Sequence, residues 1–421
     1  MRYSSSFSFS SFLASFLVAF FVDVKCINYI LMAITSSDIE EEGGFLMPLY
    51  IAVFVILIVV SALQKNNMFK MNKYMFFLIL YILAWYQYTN AVIGAPRIRF
   101  LTLCLFTVVA FMTPSMVRIN PKTFIKSVML LPSIGILYSS RLFTITNNAY
   151  ETLFMPICYS FLVPVLATII YLKNYYKEEK LSWKILGMIS VLINAFYGYQ
   201  ILSFGPRGPF LCIVSLLLFY ILFKKREGLG VKIQENKTFL VVILAIYVSA
   251  FLLETLTSLN SLLNFLGVDS TVLTKSIGMM AEGDITNGRN YISGIAVKGI
   301  LDNPIFGNGF DQFEKNTGIA YPHNFVLQVL YDGGLLFFLI LLVPVLHILY
   351  VKMKTCNVNE YILIPFFFFI SVPGALLSSD MWFVERLWIF FGVVFAPNFI
   401  ETFDAKKVNM KHQKLNFRKL R

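Results

Sequence analysis

Charge and histidine are what this chain of 421 residues has least of. Asp, Glu, Lys and Arg together make up 14% of it, and histidine occurs three times. So small a charged fraction, beside 58% hydrophobic residues and a mean hydropathy of +0.72, excludes an ordinary soluble domain, where about a quarter of residues are charged. The five cysteines, Cys26, Cys104, Cys158, Cys212 and Cys356, fall in or beside apolar runs without metal-binding or redox spacing, which leaves them as packing residues. There is no His-Glu-x-x-His pair, no heptad, no solenoid repeat and no low-complexity linker beyond the Ser/Phe-rich start. Neither a metal nor a cofactor is expected.

What the chain does have is long apolar runs. Crossing about 30 Å of hydrocarbon at 1.5 Å per residue takes roughly 20 residues. About twelve stretches are candidates: 12–34, 45–63, 74–93, 98–117, 124–140, 152–172, 183–202, 209–223, 238–253, 324–350, 361–379 and 387–400. The fifth, eighth and last are short. The expected fold is therefore an all-α polytopic membrane protein: nine spans in residues 1–253, one large loop at 254–323, three spans in 324–400 and a basic tail at 401–421.

Basic residues test the count, because Lys and Arg near span ends favour the cytoplasmic side. Alternate loops carry Lys65, Lys70 and Lys73; Arg118, Lys122 and Lys126; Lys173, Lys177, Lys180 and Lys184; Lys224, Lys225, Arg226, Lys232 and Lys237; and Lys352 and Lys354. The loops between them are poor in both. This predicts both termini in the cytoplasm and residues 254–323 on the opposite side. The net charge of +12 thus reflects topology and anionic membrane lipids, with no nucleic acid as partner. Residues 1–22 resemble a secretory signal, but no small-residue cleavage site stands near Val22 to Cys26, so they are expected to remain as the first span. Charges within the spans are nearly confined to Asp23 and Lys25.

In the large loop, Tyr291 to Leu301 keeps a partial helical spacing that Lys298 breaks and Asp302-Asn303-Pro304 stops. Such a helix is expected to lie on the membrane surface. Gly307 and Gly309 permit a tight turn before the chain returns to the tenth span, and turning the chain can be all they do.

Three residues outside the spans carry chemical weight. Arg207 stands in Gly205-Pro206-Arg207-Gly208-Pro209, where its guanidinium can either grip phosphate oxygens in a forked geometry or anchor a span end by snorkelling. Arg289, between Gly288 and Asn290, is either a second such group or a solvated loop charge. His323 is the one histidine in the large loop, since His347 falls near the cytoplasmic end of span ten and His412 in the tail. A histidine with an ordinary pKa near 6.5 can take a hydroxyl proton at neutral pH, a role worth about 10² to 10⁴ in rate. A lone loop histidine can equally be structural.

The run Asn303-Pro304-Ile305-Phe306-Gly307-Asn308-Gly309-Phe310, then Pro322-His323-Asn324-Phe325-Val326-Leu327-Gln328, then Gly333-Gly334-Leu335-Leu336 resembles the signature region of the bacterial O-antigen ligase and polymerase family. Arg207-Gly208 ahead of an apolar span resembles that family's other arginine motif. The resemblance implies a membrane-embedded, metal-independent glycosyltransferase in the bacterial inner membrane, its site facing the periplasm. Its donor is a polyprenyl-pyrophosphate-linked glycan. On the matching positions it implies that Arg207 and Arg289 hold the pyrophosphate and that His323 is the base for the acceptor hydroxyl. Arg97, Arg99, Arg141, Lys298 and Arg386 share that face as possible supplements.

The expected reaction is polymerisation onto a lipid-linked repeat, with a chain-length regulator as a possible partner. The alternative is ligation to lipid A core. A 12-span transporter or lipid-oligosaccharide flippase is the rival from another class. It would show two related halves and polar residues near the midplane, whereas only the second half here has a long external loop, and Gln64 to Lys73 lacks the Gly/Asp/Arg pattern of the major transporter superfamily. A third reading is a non-enzymatic assembly scaffold.

Overall fold

The computed structural model describes residues 9–35, 46–64, 72–96, 98–138, 151–204, 207–226, 230–233, scattered positions between 257 and 267, 270–281, 289–377, 380–396 and 399–400. It is an all-α polytopic membrane protein. Among the described residues seven helices are long and apolar enough to cross a bilayer: Phe9–Leu31, Leu46–Leu63, Lys73–Ile93, Pro156–Asn174, Leu181–Ile201, Phe325–Thr355 and Val358–Leu377. Phe100–Met116 and Gly208–Leu222 are shorter apolar helices.

In chain order the helices are α1 (Phe9–Thr35), α2 (Leu46–Leu63), α3 (Lys73–Tyr88, running into a wider π turn at Thr89–Ile93), α4 (Phe100–Met116), α5 (Pro121–Leu130), α6 (Glu151–Asn174), α7 (Leu181–Phe204) and α8 (Arg207–Leu222). A small antiparallel hairpin, β1 (Phe223–Arg226) and β2 (Gly230–Ile233), closes the end of α8. There follow α9 (Thr271–Ala281), α10 (Arg289–Asp302), α11 (Phe313–Thr317), α12 (Phe325–Thr355), α13 (Val358–Phe369), α14 (Val372–Leu377) and α15 (Glu385–Phe395). The fifth expected span is α5 followed by a 3-10 turn, Leu131–Tyr138, beyond which 139–150 lie outside the described residues. The last is only the short α15, and the ninth, 238–253, lies outside the described residues.

Every residue of α15 is buried, which is how a helix apolar on all sides behaves when its neighbours enclose it. It packs on α4, α12 and α13. Trp382 and Trp388 are fully buried and stack at 5.6 Å between centroids, with Phe310 of the large loop only 3.9 Å from Trp382. The core thus reaches up to the loop and holds its tip.

The tenth span is not one straight helix. Asn324 caps α12, its Oδ1 accepting from the N–H of Val326 at 2.9 Å and of Leu327 at 3.2 Å. At Gly334 the backbone turns to φ 62°, ψ −163°, and the helix breaks. A broken helix leaves backbone groups needing partners, a steep cost inside a bilayer. Residues 304–309 supply them. Asn308 N–H donates to Tyr331 O at 2.7 Å and Gly309 N–H to Asp332 O at 3.0 Å, while Leu335 N–H donates to Pro304 O at 2.8 Å and Leu336 N–H to Ile305 O at 3.1 Å.

That exchange requires two backbones in contact. A Cβ on Gly307, which has φ +71°, would stand 2.5 Å from Asp332 O and 2.6 Å from Gly334 N; one on Gly334 would strike Ile305 O. The loop is thereby stitched to the helix, and its exposed Leu301, Ile305 and Phe306 accompany the exposed Leu335 and Leu339 of α12.

We expect Gly307→Ala and Gly334→Ala each to destabilise the protein by about 2–4 kcal/mol, combining backbone strain with displaced chain. Gly318→Ala is the control: φ is +73° but nothing lies within 4 Å of its would-be Cβ, so about 1 kcal/mol is expected. Thermal melts in detergent check this, and three equal shifts would refute the stitched contact.

Candidate functional site

The site grows from the two sides of this junction. The apolar stripe of α10, the helix expected in the large loop, packs on α12. Ala296 is fully buried with Phe313 and Tyr331, and Ile292, Ile295 and Ile300 pack around them. Gly299 lets the helices approach, since a Cβ there would run into the Tyr331 ring. The helix ends at Asp302, as Asp302-Asn303-Pro304 predicts. Asn308 Nδ2 then donates to Gly299 O at 2.9 Å, tying the turn to the last carbonyls of α10. Along α10, Arg289, Ile292, Ala296 and Ile300 share one face by helical spacing. The packing of that face brings Arg289, the first residue of the helix, toward the start of α12.

His323 waits there, one residue before the Asn324 cap. Its backbone is left-handed at φ +56°, an uncommon conformation for a residue with a side chain. The imidazole is half-buried, packs on Tyr321 at 4.3 Å between ring centroids, and keeps Nδ1 buried with no hydrogen-bond partner among the described residues. Burial first, and the Arg289 charge second, hold its pKa below the ordinary 6.5. Both effects favour the neutral imidazole.

Beneath the histidine lies a buried polar network that the sequence reading missed. Gln328 Nε2 donates to Asp380 Oδ1 at 2.8 Å, and Met381 N–H donates to Gln328 Oε1 at 2.9 Å. Trp382 N–H donates to Asp380 Oδ1 at 3.0 Å, and its Nε1–H to Asp332 Oδ2 at 2.7 Å. Charge within the spans is therefore not confined to Asp23 and Lys25: Asp332 is fully buried inside α12. The signal was a lone aspartate next to Gly333-Gly334 in an apolar run. The junction is anchored sideways as well, where Phe310 N–H donates to Thr89 Oγ1 at 2.9 Å and Ile98 N–H to Asp311 Oδ2 at 2.7 Å.

Of the three residues singled out by sequence, Arg289 and His323 are near enough for the arginine's charge to act on the imidazole. Arg207 is the first residue of α8, so it opens a helix where a turn was expected, and its side chain lies outside what is described. Among the supplementary cations, Lys298 and Arg99 are exposed, Arg97 and Arg141 lie outside the described residues, and Arg386 is buried and bonded to backbone. Among the described residues no group of three or more His, Cys, Asp or Glu gathers to hold a metal ion.

Residues 199–342 match the family model described as O-antigen ligase. The matched stretch opens near the end of α7 and closes inside α12, so it takes in Arg207, Arg289 and His323 together. This part of the chain is similar to the O-antigen ligase family. Comparison with curated proteins gave no match. That similarity, with the apolar helices, suggests a glycosyl-transferring membrane enzyme.

With only three histidines, His323 can be titrated alone by imidazole NMR once His347 and His412 are replaced by Gln. Its midpoint is expected below 6.5, and Arg289→Gln, which removes the nearby cation, should move it upward. A midpoint unmoved by that substitution would separate the two residues.

Proposed function

We propose that the protein is a surface-polysaccharide polymerase of the bacterial inner membrane, moving a growing glycan from polyprenyl pyrophosphate onto a lipid-linked repeat. Both termini are cytoplasmic, and the 254–323 loop with its site faces the periplasm. The observation that supports this reading is a half-buried His323 with left-handed backbone just ahead of α12, within reach of the Arg289 charge.

In this mechanism His323 Nε2 takes the proton from the acceptor hydroxyl as its oxygen attacks the anomeric carbon. The bond from that carbon to the pyrophosphate oxygen breaks, and the configuration inverts. The electron pair leaves with the polyprenyl pyrophosphate, and the proton passes from the imidazole to water. Charge gathers on the departing oxygens, where Arg289 and Arg207 stabilise it without a metal ion, each charge-assisted contact worth about 1.5–3 kcal/mol. A neutral imidazole suits this sequence, because a protonated one could not accept the hydroxyl proton.

A second reading is favoured by the description of the matching family model: ligation of the finished glycan to lipid A core. Donor chemistry is shared, and the acceptor alone differs. A chain-length regulator is a partner only in the first reading.

Purified protein given a polyprenyl-pyrophosphate-linked repeat, with neither metal nor lipid A, is expected to produce a ladder of lengthened lipid-linked chains. In His323→Ala the rate should fall by about 10² to 10⁴. No ladder until lipid A core is added would replace the polymerase with the ligase, and an unchanged rate in His323→Ala would remove the base.

A further inference from the structure

Arg386 is the second residue of α15 and is 5% exposed, an expensive place for a charge in a membrane bundle. Its guanidinium spans two other helices. Nε donates to Val22 O of α1 at 3.1 Å, and Nη1 donates to Tyr159 O of α6 at 2.8 Å. The charge is balanced locally by Glu385, whose Oε1 stands 3.8 Å from Nε while Oε2 pairs with Lys25 Nζ at 2.7 Å. Arg386 is thus held on one side and holds Tyr159 on the other.

Tyr159 carries the contact onward. Its hydroxyl lies against Gly208, where any Cβ would collide with it, and its ring lies against Gly374 of α14, where a Cβ would stand 2.8 Å from Cε1. Gly208 is the second residue of α8 and the direct neighbour of Arg207. A line of contacts therefore runs from the charged cluster at α1 and α15, through Tyr159, to the first turn of α8.

We propose that Arg386 and Tyr159 are positioning residues that set the start of α8, and with it the reach of Arg207 toward the donor's pyrophosphate. This rests on the pyrophosphate reading of Arg207. Arg386 does not touch the substrate; it acts through Tyr159, and Tyr159 acts by where its hydroxyl meets Gly208.

The test measures KM for the lipid-linked donor and kcat in wild type, Arg207→Ala, Arg386→Lys, the Arg207→Ala/Arg386→Lys pair, Gly208→Ala and Gly208→Ala/Tyr159→Phe. Arg386→Lys keeps the charge, so the cluster stays balanced, but one ammonium does not reproduce the guanidinium fork. We expect donor KM to rise about tenfold in Arg386→Lys with kcat little changed, and to rise no further when the substitution is added to Arg207→Ala. Gly208→Ala should raise it similarly, and Tyr159→Phe, by removing the colliding hydroxyl, should restore most of the loss. A purely structural brace would give equal losses in both backgrounds and no rescue, and that result overturns the proposal while leaving Arg207 in place. A donor KM unchanged in Arg207→Ala overturns the pyrophosphate reading, and the proposal with it.

Discussion

Gly307 and Gly334 meet backbone to backbone, and everything around the site is arranged by that meeting. The broken helix can exist in a membrane only because the 304–309 turn satisfies its backbone groups, and the turn is ordered because the break offers it partners. Each half is the other's solvent. α10 is then delivered by the same turn to the flank of α12, which is how a charge on one element comes to bear on an imidazole 34 positions further along the chain. The placement of Arg289 and His323 is a consequence of backbone pairing, with side chains added at its edges.

The layers below the site serve rigidity. Asp332, Asp380 and Gln328 are buried in a bundle where an unsatisfied polar atom is costly, yet each bonds to an element that the junction needs held: the first half of α12 or the 380–383 turn. The aromatic column of Phe310, Trp382 and Trp388 adds a dry, inflexible wall on one side. His323 is held from its own side by Tyr321 and by its left-handed backbone.

Local chemistry was readable from residues alone. Asp302-Asn303-Pro304 ends α10, Gly307 and Gly309 take positive φ, and Asn324 caps α12, because each depends on a few neighbouring atoms. The break at Gly334 was not read, since residues 325–355 as a whole are apolar enough to span and a straight helix satisfies that equally well. The approach of Arg289 to His323 depends on Gly299 sliding under Tyr331, and the Gln328–Asp380 bond joins positions 52 residues apart. Arg386 was placed with the exposed cations because its partners, Val22 and Tyr159, lie more than 200 residues earlier in the chain and contribute only carbonyls. Pairings between distant backbones leave no mark in residue type.

The flank formed by Leu301, Ile305 and Phe306 beside Leu335 and Leu339 belongs to loop and helix at once. In a bilayer such a shared apolar side works as a keel: it fixes the draught of the loop, so the loop cannot ride up or down without dragging the span with it. The lipid-anchored donor of the proposed reaction would float at the same waterline. When the membrane thickens or thins, hull and cargo would then rise or sink together, the distance between them conserved by buoyancy without any moving part.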